Sequence, residues 1–196
     1  MTNFDYLKQE PKFDTFVEVA IAAEKIIHID IAASVLNCRR AMEFAIKWMY
    51  SVDDKLEKPY QDNLHSLMST EDFHDILDAD LWKRLDLIRK IGNRAAHNGK
   101  KITEDEAVLC LQNLFLFLGF VAHCYSQIDV VDEFDKSLVE AHKEVAVELP
   151  KVTELELEAL IAENKALKEE LTARREEQRQ TYVPKPLDLS EYKTRK

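Results

Sequence analysis

The chain has 196 residues, with 27 Lys and Arg against 37 Asp and Glu and a formal net charge of −10. Its 46 % hydrophobic content suffices for a buried core, whereas 3 Gly and 5 Pro are too few for the turns of a sandwich, a barrel or a doubly wound sheet. Gly92, Gly99 and Gly119 form no phosphate-cradling loop, and an acidic chain is not a general nucleic-acid binder, because phosphate contacts require positive charge.

The reading is therefore an all-α chain. Residues 1–12 form a short opening that ends in Pro11 and carries no basic-then-apolar signal pattern. A first helix is predicted over about 15–29, capped by Asp14, with Phe16, Ala20, Ala23 and Ile27 on one face. A second covers about 33–51, with Ser34 as its cap and Leu36, Ala41, Phe44, Ala45, Trp48 and Met49 as a buried stripe. Asp53-Asp54 and Pro59 break it, and two short helical pieces follow near 61–69 and 71–78.

A longer helix runs from Asp80 to His97 with Leu81, Leu85, Ile88 and Ile91 inward, and Asn98-Gly99 ends it in a left-handed turn. Thr103-Glu104-Asp105-Glu106 is a capping box that opens a helix reaching about Tyr125. Its apolar run, Leu114 to Ala122, falls well short of the roughly 20 residues of a membrane span and reads as a buried helix. Cys38, Cys110 and Cys124 lack CxxC spacing, so they read as small core residues of a reduced cytoplasmic chain, with no metal site.

These elements make a four- to five-helix domain over 1–127. Residues 128–180 then hold a connecting helix, a break at Pro150 and a second capping box at Thr153-Glu154-Leu155-Glu156. Leu157, Leu160, Asn164, Leu167 and Leu171 step by three and four residues, the seam of a short coiled coil. Two readings stand for it: dimerisation through a parallel pair with Asn164 buried at an a position, or a solvated helix packed on its own domain. Residues 181–196, with Tyr182-Val183-Pro184-Lys185-Pro186, are an extended linker.

Charge is unevenly placed: the whole acidic excess falls within residues 1–150, and 151–196 is neutral. One stretch runs against this. Lys83, Arg84, Arg89, Lys90, Arg94, Lys100 and Lys101 stand against a single acid, Asp86, between residues 83 and 101. On a helix Lys90 and His97 differ by about 20° and Asn93 and His97 by about 40°, so the three share a face beside Arg94. A cation, an amide and an imidazole together suit phosphate binding or general acid–base chemistry. The competing reading is a helix end whose cations complement the dipole, with His97 bonded to a carbonyl. The candidate nucleic-acid-binding residues are thus Arg89, Lys90, Arg94, His97, Lys100 and Lys101.

Cys38-Arg39-Arg40-Ala41-Met42-Glu43 followed by Ile88-Arg89-Lys90-Ile91-Gly92-Asn93-Arg94-Ala95-Ala96-His97 resembles the HEPN-like domain of unknown function at the N-terminus of some type I restriction endonuclease R subunits. Asn3-Phe4-Asp5-Tyr6-Leu7 and Trp48-Met49-Tyr50-Ser51 are similar to that subgroup as well, so the resemblance covers about 1–125. It implies a HEPN-like bundle. Catalytic HEPN proteins are metal-independent RNases with an Arg, a polar residue and a later His assembled across a dimer. Asn93 and His97 match the last two, but Gly92 stands at the Arg position. The resemblance therefore implies a non-catalytic, docking version of the fold, with Asn93 and His97 as the catalytic pair in the RNase alternative.

Ser190-Glu191-Tyr192-Lys193-Thr194-Arg195 is similar to the entry of the R-subunit nuclease domain. The expectation is an N-terminal docking or scaffolding module of a DNA restriction machine used in phage defence. Its partners would be the remaining R-subunit domains and the modification and specificity subunits. The parent enzyme would use ATP and Mg²⁺ through domains outside this sequence, with no cofactor held by this chain. A stand-alone dimerising interaction module is the further alternative, with weak DNA or RNA binding and no membrane contact.

Overall fold

The computed structural model describes residues 1–97, 101–131, 133–147 and 154–181, with the side chains of 144–147, 154–157, 160 and 177–181 left out. The chain divides into two compact units, Met1–Leu149 and Pro150–Lys196. The described residues are helical or irregular and include no strand.

The first unit opens with two 3-10 turns, Asp5–Gln9 and Pro11–Phe13. The α-helices are α1 (Asp14–Lys25), α2 (Ile31–Val52), α3 (Leu64–Met68), α4 (Glu71–Ile76), α5 (Ala79–Ala96), α6 (Glu104–Tyr125) and α7 (Lys136–Val147). The four long helices α1, α2, α5 and α6 pack on one another as the bundle, with α2 touching each of the other three. The predicted inward faces of α1 and α5 are buried, as are Ala41, Ala45 and Met49 of α2. Leu36, Phe44 and Trp48 are only half-buried.

Two predicted caps are corrected. Asp14 lies inside α1, and Phe13 precedes the helix without a capping side chain. Asp30, not Ser34, caps α2, its carboxylate accepting from the Ala33 amide at 2.9 Å. Ser34 is buried and donates to the Ala23 carbonyl at 2.8 Å, tying α2 back to α1. Asn63, Thr70 and Asp78 cap α3, α4 and α5 through their side chains, so each start takes one of the residue types that satisfy free amides. The capping box of α6 forms as expected: Glu106 N donates to Thr103 Oγ1 at 3.2 Å and Thr103 N to Glu106 Oε2 at 3.0 Å.

The helix α6 is apolar almost all round, and such a helix belongs inside a bundle. It is the one helix among the described residues long and apolar enough to cross a membrane, yet most of it is buried in this core. Cys38 and Cys110 are buried, and desolvation raises both thiols, Cys110 to about 12. Cys124 is exposed, a correction to its reading as a core residue, because it falls on the outer side of the last turn of α6.

The compact unit reaches Leu149, past the domain end expected at 127. What extends it is a seam between the chain start and α7. Asn3 donates to the Asp135 carbonyl at 3.0 Å, and the Asp135 amide donates to Asn3 Oδ1 at 2.7 Å.

The second unit contains α8, Glu154–Thr181. Its helical state agrees with the sequence pattern. The seam residues Leu167 and Leu171 are 50 % and 56 % exposed, and Asn164 is exposed. Leu157 and Leu160 lie outside the described side chains. The Asn98-Gly99 turn, Lys100, Pro150, Thr153 and residues 182–196 lie outside the described residues.

Candidate functional site

Of the basic cluster, Arg89, Lys90 and Arg94 sit on the last two turns of α5. Its geometry is one of internal pairing. Asp86 receives Arg89 Nε at 3.0 Å and Nη2 at 2.6 Å, and Lys90 Nζ at 2.7 Å. Partial burial pushes the Asp86 carboxyl up, but the hydrogen bonds from Lys90 and Arg89 outweigh it and leave the acid below its ordinary value. Asp86 and Arg89 are both largely shielded, whereas the Lys90 ammonium is in solvent. One turn on, Arg94 pairs with Glu106, whose other oxygen closes the α6 capping box. Bonds from Thr103 and Arg94 hold the Glu106 carboxyl below its ordinary range. At the start of the helix Lys83 meets Asp80 at 3.1 Å, and Arg84 donates to the buried Asn113 of α6 at 3.1 Å.

The helix ends at Ala96. His97 is its C-cap, exposed and extended, with its amide donating to the Asn93 carbonyl at 3.2 Å. Asn93 and Arg94 are half-buried beside it. The structure thus brings Asn93, Arg94 and His97 to one helix end, while Arg89 and Lys90 are drawn toward Asp86. Lys101 is exposed at the start of the next segment.

Gly92 has a steric reason. It is buried where α5 crosses α2, and a Cβ there would come within 2.5 Å of Arg39 Cδ and 2.8 Å of Arg39 Cβ. The Arg39 stem covers Gly92, and its Nε is buried without a hydrogen-bond partner. No side chain fits at 92 unless α2 and α5 separate.

A second cluster was not visible in the sequence. Glu24 of α1 is fully buried and receives the Asn3 amide at 3.1 and 3.2 Å and Asn3 Nδ2 at 3.2 Å. His142 of α7 places Nε2 3.6 Å from Glu24. Desolvation raises the Glu24 carboxyl to about 7, against the Asn3 bonds that lower it. Desolvation likewise lowers His142, with the chain's amino terminus, Lys25 and His28 adding to the effect.

Next to this pair, His28 bonds the Val139 carbonyl through Nε2 at 3.0 Å and faces Glu104 through Nδ1 at 3.4 Å. His28, Glu104 and Glu140 bring ligand atoms within 4.8 Å of one another. Lys143 places its ammonium 3.1 Å from Glu104 and 2.6 Å from Glu140, so a side-chain cation already serves these carboxylates. Together with Glu24 and His142 these groups come from α1, the turn after it, α6 and α7, and spacing along the sequence carries no trace of them. Their chemistry is that of a clamp, holding α7 against α1.

Comparison with known proteins gives one match. Residues 21–122, from the middle of α1 to the last turn of α6, match a family described as a domain of unknown function, DUF4145. No curated protein and no solved structure matches the chain. The matched stretch contains Arg39, Gly92, Asn93, His97 and the ion-paired cluster of α5, and leaves Asn3 and His142 outside. Since it spans more than half of the 196 residues, the chain belongs to the DUF4145 family.

Proposed function

We propose that this chain is a non-catalytic docking module, the N-terminal helical part of a type I restriction R subunit, working in the cytoplasm against phage DNA. The link to restriction rests on the resemblance of residues 1–125 and 190–195. The observation that supports a docking role over catalysis is the crossing at Gly92, where the Arg39 stem leaves no room for an arginine. The pairing of Arg89 and Lys90 with Asp86 and of Arg94 with Glu106 supports it further, because a cation already bonded to a carboxylate must give up that bond to meet a phosphate. ATP and Mg²⁺ chemistry belongs to the nuclease and motor that this module would position.

The test is direct. Titration of the chain into an R-subunit nuclease–motor polypeptide should give saturable binding, and the chain alone should leave supercoiled plasmid intact with Mg²⁺ and ATP. Binding to labelled DNA or RNA at low salt should be weak, with a slope of log K against log salt of about −1 to −2, since few cations are free to release counterions. A slope near −5 in the same assay would restore the cluster as a nucleic-acid interface.

The RNase reading keeps one observation in its favour: Asn93 and His97 meet at an exposed helix end. Metal-independent cleavage of single-stranded RNA that vanishes in His97→Ala, with binding retained, would replace the docking role. A stand-alone dimerising module is favoured by exposed Leu167 and Leu171 on α8.

A further inference from the structure

We propose that the outer face of α6 is a self-complementary seam that pairs two copies of this chain antiparallel. Although α6 is nearly all apolar between Ala107 and Ala122, Leu109 and Leu116 remain 38 % and 43 % exposed. Asp105, Leu109, Gln112, Leu116, Phe120 and His123 follow at spacings of three and four residues and fall within about 80° of arc on one side of the helix. Each of these is exposed or half-buried. This is the spacing of a helix-pairing seam; among the described residues Val130 and Val131 flank it on the Gly119 side, while Leu109 and Leu116 stay open.

The seam also carries a hole. Leu116, Gly119, Phe120 and His123 stand at i, i+3, i+4 and i+7, the four corners into which a facing helix sets a side chain. In this structure they line an open cleft of ≈ 290 Å³, walled on its far side by Val130 and Val131. Gly119 leaves the floor of that cleft without a side chain.

The occupant follows from the order of residues along the face. An antiparallel copy centred beside Leu114 sets Asp105 opposite His123, Leu109 opposite Gly119 and Gln112 opposite Leu116. Leu109 of each copy then enters the cleft of the other, and the acid at one end meets the imidazole at the other, twice by symmetry. The amide end of one α6 also lies beside the carbonyl end of its partner, the favourable arrangement of two antiparallel helix dipoles. A parallel pair would stack Asp105 on Asp105 and leave both clefts unfilled. This pairing is independent of the docking role, since it uses the exposed side of α6 and none of the α5 or α8 residues on which that reading rests.

Sedimentation of the full chain at about 100 μM tests it, that concentration being high enough to populate a weak dimer by mass action. The expected result is a dimer that Leu116→Glu turns into a monomer with unchanged helical circular dichroism. Leu109→Glu, at a second exposed site, should do the same if Leu116→Glu fails to fold. Asp105→Lys should weaken the dimer by about tenfold, and Asp105→Lys with His123→Glu should restore it, because the reversed pair attracts again. The α8 variant Leu167→Glu/Leu171→Glu should leave the dimer intact. A monomeric full chain, a dimer that survives Leu116→Glu and Leu109→Glu, or a charge swap that fails to restore pairing would overturn the proposal.

Discussion

Glu24 and His142 form a pair in which burial favours the uncharged form of both. The Glu24 carboxyl, raised from 4.5 to about 7, contributes stability that is fully present below pH 4.5 and is lost as pH rises through about 7. His142 works in the opposite sense: its lowered value contributes stability above about 6.5 that is lost as pH falls. The seam should hold best between the two, in mildly acidic solution, where a protonated Glu24 can donate toward His142 Nε2. Glu24→Gln keeps a neutral donor and acceptor in place. The variant should therefore lose the decline in stability between pH 5 and pH 8, which in the native chain is at most about 3 kcal/mol by the size of the shift. Urea unfolding at intervals across that range reads the difference, and parallel pH profiles for the two proteins would rule the pair out as its source. None of this was legible in the sequence. Glu24 looks like one more acid on an amphipathic helix, and only the fold brings Asn3 and His142 to it.

At the level of elements, the crossing of α2 and α5 is fixed by a glycine under an arginine stem. Gly92→Ala should cost about 1–3 kcal/mol through overpacking, although alanine favours a helix by about 1 kcal/mol. An Arg39→Ala background should recover only part of that cost, because Cβ of residue 39 stays 2.8 Å away. A double-mutant cycle in chemical denaturant gives the coupling, and additive costs would mean the two residues do not press on each other. The sequence showed Gly92 only as a departure from a motif; why it departs is a matter of interhelical distance, which no local pattern encodes. The helices themselves were legible. The faces of α1 and α5 and the capping box of α6 follow from three- and four-residue spacing and from one Thr-x-x-Glu match. The starts of α1 and α2 were less so: Asp14 and Ser34 have the right chemistry for caps, but the first turns begin elsewhere and Asp30 takes the α2 amides.

Across the whole molecule, the core cluster lies entirely in the unit Met1–Leu149. A chain of residues 1–149 should unfold cooperatively with a midpoint within about 2 °C of the full chain, since the hydrophobic burial that sets the transition is retained. A fall larger than about 5 °C in a calorimetric scan would show that residues 150–196 contribute to that core. The same truncation keeps the acidic excess, so the basic stretch of α5 remains a local exception on a negative surface. The Asn3–Asp135 bonds carry a consequence for how the protein is made. They join residues 132 apart, and Phe4 is buried against Phe115 with the ring centroids 6.2 Å apart. On the ribosome, about 7–26 s separates emergence of the first partner from that of the second. During that interval Phe4 and Leu7 have no finished site to enter, so the nascent chain presents these apolar side chains to chaperones until its last bundle helix has been synthesised.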